Sequence, residues 1–131
     1  MAGRHAYIDE YFDHVFLKVL DKVLKDTLGG AAAKAIFRHL ESRHSLRRVD
    51  IPKNIKVFTD VMEEILGSSR ITLEMIVMRE LCLKLDLDET GVVCFSTLNK
   101  LRDKFRRRYL KELESRGIFT TYDDPKVYYE K

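Results

Sequence analysis

Apolar side chains return every three or four positions through five stretches of this chain, and glycine or proline interrupts the pattern between most of them. At 3.6 residues per turn, such spacing gathers the apolar groups on one side of a helix, so each stretch needs a neighbour to cover it. Ile8, Phe12, Val15, Phe16, Val19 and Val23 predict a first helix over 7–28, with Asp13, His14, Asp21 and Lys25 on its outer side. Gly29 and Gly30 end it, because glycine takes the left-handed conformation of a helix terminus without a Cβ clash. An alanine-rich run then starts a second helix over 31–44, burying Ile36, Phe37 and Leu40.

Pro52 lacks an amide donor and biases Ile51 away from helical geometry, which makes 47–52 a connector. A third helix follows over 54–66, with Val57, Phe58, Val61, Met62, Ile65 and Leu66 turned inward. Gly67 stops it, and Ser68 or Ser69 is placed to cap a fourth helix over 69–85. That fourth helix is apolar nearly all round, through Ile71, Leu73, Met75, Ile76, Met78, Leu81, Cys82 and Leu85, which predicts a position at the centre of a bundle. Ser96 or Thr97 can cap a fifth helix over 97–116, whose inward face carries Leu98, Leu101, Phe105, Tyr109 and Leu113. The expectation is an all-α chain: one domain over 1–131, a five-helix bundle with a central apolar helix and an extended C-terminal tail over 117–131.

With 131 residues, 45% of them hydrophobic, the chain can bury one core but not two. No stretch reaches the roughly 18 to 20 apolar residues that cross a bilayer. The N-terminus lacks the apolar run and small-residue cleavage site of a secretory signal, so a cytoplasmic location and no membrane contact are expected. Cys82 and Cys94 have neither CxxC spacing nor a companion histidine cluster, which points to two reduced thiols and no metal site. Glutamine is missing and asparagine occurs only as Asn54 and Asn99, the bias of heat-adapted proteins. In a hyperthermophile a Cys82 to Cys94 disulfide would be admissible.

Catalytic signatures do not appear: there is no Gly-rich phosphate loop, GxSxG elbow or HExxH pair, and Glu63 and Glu64 point about 100° apart on a helix. His39 and His44 stand five residues apart, roughly 140° around a helix, which is unsuited to a shared metal. A non-enzyme with no cofactor is therefore expected. The segment Asp86 to Thr97 resembles an EF-hand loop in part, with Asp86, Asp88 and Thr90 at the first oxygen positions and Gly91 at the turn. It departs where calcium affinity is made, because Thr97 replaces the closing bidentate glutamate and Cys94 takes the ninth position.

The net charge of +3 is unevenly spread, since Lys100 to Arg116 holds eight basic residues against three acidic ones. Lys100, Lys104, Arg107 and Lys111 fall at i, i+4, i+7 and i+11, stacked on one outer face of the fifth helix with Arg108 beside them. Two readings fit: a row that neutralises successive phosphates of a nucleic acid, or the ordinary solvated face of a surface helix. The tail adds Phe119, Tyr122, Tyr128 and Tyr129, an aromatic strip that serves either a protein partner or its own core edge. A binding role follows, protein partner first and nucleic acid second, acting through Lys100, Lys104, Arg107, Arg108 and Lys111 together with the tail.

From Gly29 to Tyr109 the order of motifs resembles a small archaeal all-helical family of unknown function. The specific parts are Ala35-Ile36-Phe37-Arg38-His39-Leu40-Glu41, Asp50-Ile51-Pro52 and Ile65-Leu66-Gly67. The resemblance implies an archaeal intracellular helical domain of the sort appended to signalling proteins as an output module. It carries no catalytic residues with it.

Overall fold

The computed structural model describes residues 4–88 and 94–117. These residues form five α-helices, α1 (Arg4–Leu28), α2 (Gly30–His44), α3 (Ile55–Leu66), α4 (Ser69–Leu85) and α5 (Leu98–Ser115), and two 3₁₀ segments, Arg48–Lys53 and Phe95–Thr97. No strand occurs among them, so the chain is all-helical as its spacing predicts. The expected tail from Ile118 onward lies outside the described residues.

The centre of the molecule is α1, and this corrects the expectation that the fourth helix lies there. Three helices, α2, α4 and α5, and the Arg48–Lys53 segment all pack on α1. Ile8, Phe12, Phe16, Leu20 and Leu24 form its buried spine. By contrast α4 touches mainly α1 and α3, and it leaves Ile71 51%, Met75 40% and Leu83 66% exposed. Its apolar residues exceed what two neighbours can cover, so an apolar circumference did not translate into a central position. In the same way Val57 and Ile65 of α3, expected inside, are exposed, while Phe58, Val61 and Met62 are buried.

Gly29 does close α1, at φ 92°, where its amide donates to the Lys25 carbonyl at 3.0 Å. Its own carbonyl accepts from Ala33 at 3.0 Å, so one residue ends α1 and opens α2. The connector over 47–52 turns out to be a 3₁₀ segment with Ile51 and Pro52 buried. Arg48 anchors it, its guanidinium stacked 4.0 Å from the centre of the Phe37 ring. None of the expected hydroxyl caps forms: Ser68 makes no side-chain cap bond to α4, and the Thr97 hydroxyl donates backward to the Cys94 carbonyl at 2.6 Å.

What opens α5 instead is Glu74, reaching across from α4. Its carboxylate, 1% exposed, accepts the Phe95 amide at 2.8 Å with one oxygen and the Arg70 guanidinium with the other. An anion at the amide end of a helical segment satisfies donors that otherwise lack partners. The Phe95 ring then packs 5.7 Å from both Phe16 and Phe58, which locks this turn between α1 and α3.

Candidate binding surface

Two of the eight basic residues between Lys100 and Arg116 are spent inside the fold. Arg102 donates to Asp13 at 2.9 and 2.7 Å, and Arg106 donates to Asp9 at 3.0 and 2.7 Å. Arg106 engages both Asp9 oxygens, whereas both Arg102 nitrogens donate to one Asp13 oxygen; the two pairs join α5 to α1 and fix the helices antiparallel, because the residue numbers rise on one as they fall on the other. Asp13, expected on the outer side of α1, is buried. Burial pushes its carboxyl above the ordinary range, with Arg102 pulling the other way. The hydrogen bonds that Arg106 donates to Asp9 hold its guanidinium above the usual value. The sequence held a signal for both pairs: Asp9 and Asp13 on one helix and Arg102 and Arg106 on the other repeat the same four-residue step.

The expected five-residue basic row divides. Arg108 donates to the Asp86 carbonyl and lies 3.0 Å from the Asp86 carboxylate, with Glu112 at 3.5 Å. Lys104 reaches the Asp88 carbonyl at 3.5 Å. Both cations thus tie α5 to the corner that ends α4, where Asp86 adopts the left-handed conformation at φ 53°. Lys100, Arg107 and Lys111 remain exposed, and among the described residues no carboxylate pairs with them. Three cations therefore still share the outer face.

Of the partial EF-hand pattern, Thr90, Gly91 and Val93 fall outside the described residues. Asp86 is turned toward Arg108 and the Thr97 hydroxyl toward a backbone carbonyl, so these two do not converge on a common point. Cys82 is buried, Cys94 is half-buried with its sulfur 2.8 Å from the Ser96 hydroxyl, and the two are not joined in a disulfide. His39 and His44 do meet, contrary to the angular estimate, with ring centres 5.5 Å apart in an edge-to-face contact. His44 is the last residue of α2. Among the described residues no group of three histidine, cysteine or acidic side chains is placed to hold a metal.

The sequence did not reveal the concave features that pairs of helices share among the described residues. A groove of about 340 Å³ runs between α1 and α4, with Val15, Val19, Val23 and Ile76 on its floor. Lys18, Lys22, Lys84, Asp26 and Glu80 form its rim. Lys22 is paired to Asp26 at 2.7 Å, whereas Lys18 and Lys84 meet no carboxylate among the described residues. A shallower apolar depression of about 530 Å³ lies between α2 and α3 around Leu28, Ala35, Ile36 and Ile65. No described helix is long and apolar enough to cross a membrane.

No family model, curated protein or solved structure matches the chain.

Proposed function

We propose that this chain is a non-enzymatic helical module that works in the cytoplasm by docking a protein partner on the outer surface of α4. The observation that supports this most directly is the apolar strip of Ile71, Met75 and Leu83, left uncovered on a helix whose other face is fully packed. Arg79 stands between Met75 and Leu83 at the same four-residue step, so the surface combines exposed apolar groups with a cation, as a docking face for a protein partner does. The resemblance to a small archaeal all-helical family, appended in some archaea to signalling proteins as a presumed output module, points the same way, and the scarcity of amide side chains suits a heat-adapted host.

Chemical cross-linking in an extract of the native host tests it, comparing the wild type with Met75→Glu/Leu83→Glu and with Lys100→Glu/Arg107→Glu/Lys111→Glu. A partner lost with the α4 variant alone supports the reading. Loss with the α5 variant alone moves the working surface to the basic face, and a pattern indifferent to both disposes of the proposal.

A second reading, nucleic-acid binding by α5, is favoured by the exposure of Lys100, Arg107 and Lys111 on one face. Three phosphate contacts give a log–log salt slope of roughly −3. Retention on DNA that is unchanged by the triple charge reversal removes this reading. The calcium reading rests on the loop pattern alone, and titration with calcium that releases no heat ends it.

A further inference from the structure

The α1/α4 groove carries its charge unevenly along its length. Its floor is one row of valines, Val15, Val19 and Val23 at four-residue steps on α1, with Ile76 of α4 opposite. The order of the charged groups on its rim follows from the direction of α4. The Lys22 ammonium is held above its usual value first by its hydrogen bond to Asp26 and, more weakly, by the charge of Glu80, so Glu80 stands near Lys22. Further along α4, Asp86 is tied to Arg108, which lies just past the Arg106 that pairs with Asp9 near the start of α1. Passing from Glu80 to Asp86 therefore moves back along α1, and the two helices run antiparallel. Lys84, one turn beyond Glu80, and Lys18, one turn before Lys22, accordingly fall in the same half of the groove, toward Tyr11.

Lys18 and Lys84 are both exposed, and among the described residues neither meets a carboxylate. Asp26 is engaged by Lys22, Asp86 by Arg108, and Glu80 lies toward Lys22. Two like charges gathered in one half of a groove repel each other, and an anion between them turns that repulsion into attraction. The volume of about 340 Å³ is at the lower end of small-molecule sites. A floor of one row of valines facing a single isoleucine suits one narrow chain better than a ring system or paired chains. We propose that the α1/α4 groove binds a free medium-chain fatty acid, its carboxylate between Lys18 and Lys84 and its alkyl chain laid over Val19, Val23 and Ile76. Removal of methylene groups from water drives the contact, and the lysines fix which way the chain lies. The α2/α3 depression lacks this polarity, because no lysine or arginine lines it. The exposed strip of Ile71, Met75 and Leu83 is not part of the groove lining, so this inference stands apart from the partner-docking reading.

Titration of the full chain with sodium decanoate, followed through amide NMR signals, tests it. The expected result is saturable shifts at Val15, Val19, Val23 and Ile76, with Ala32 and Ile65 unmoved. Lys18→Ala/Lys84→Ala should weaken decanoate binding about fivefold, the loss of two exposed ion pairs. Lys25→Ala, on the same helix but outside the groove lining, should leave it unchanged. Ligand-free spectra of both variants report whether the fold is intact. Decylamine, the same chain with the opposite charge, should bind the wild type more weakly than decanoate does, a comparison that needs no variant. Shifts that do not saturate, or that centre on Ala32 and Ile65, overturn the inference. So does a folded double variant that binds decanoate as tightly as the wild type, or decylamine that binds as tightly as decanoate.

Discussion

Glu74 shows how much one buried carboxylate can organise. It sits in the most apolar helix, yet both oxygens are engaged, one by the Phe95 amide and the other by Arg70, which is held in turn by Glu63 at 3.1 Å. Hydrogen bonds to charged groups are worth about 1.5–3 kcal/mol each, and removing one partner strands the other. Glu74→Ala is expected to cost about 2–4 kcal/mol in urea unfolding. Glu74→Gln keeps an acceptor for the Phe95 amide and should cost less than half as much. Equal losses for the two variants would show that the contact with Phe95 contributes nothing. In the sequence Glu74 reads only as an interruption of an apolar run, and nothing local announces that its partner lies 21 positions away. The pairing of Asp13 with Arg102 is more legible, because the matched four-residue steps on two helices define one antiparallel register.

The five periodic stretches each became a helix within a few residues of the expected bounds, since helical spacing and glycine stops act locally. Their arrangement was not legible in the same way. Apolar content put α4 at the centre, but α1 is 25 residues long and offers separate faces to α2, α4 and α5 at once. Asp13, expected on its outer side, and Asp9 are both turned into the contact with α5. The two faces of α4 make this testable. Ile71→Glu and Leu83→Glu should leave stability within about 0.5 kcal/mol of the wild type, as surface changes usually do. Leu81→Ala, on the buried face, should cost about 2–5 kcal/mol. Urea unfolding of the three variants decides, and a large loss from either glutamate would return α4 to the centre.

Across the whole molecule, α1 and α5 are held by an ion pair placed where burial opposes charge. The Asp13 carboxyl is lifted by desolvation, with Asp9 adding in the same direction, while Arg102 and, more weakly, Lys53 lower it without cancelling the rise. The folded chain therefore takes up a proton at Asp13 more readily than the unfolded chain does. Stability rises with pH only where the unfolded state holds more protons, so this group acts in the opposite sense. Its contribution is fully present below the ordinary aspartate range near about 3.9 and is lost as pH rises through the higher folded value. Other carboxylates titrate over the same window, so the comparison must isolate this one. Asp13→Asn removes the titration while preserving shape, and the stability difference between wild type and variant should shift in favour of the wild type as pH falls from neutral to about 3. A shift toward the variant on acidification would mean that the Arg102 guanidinium outweighs burial, and that the bond between α1 and α5 is strongest when Asp13 is charged.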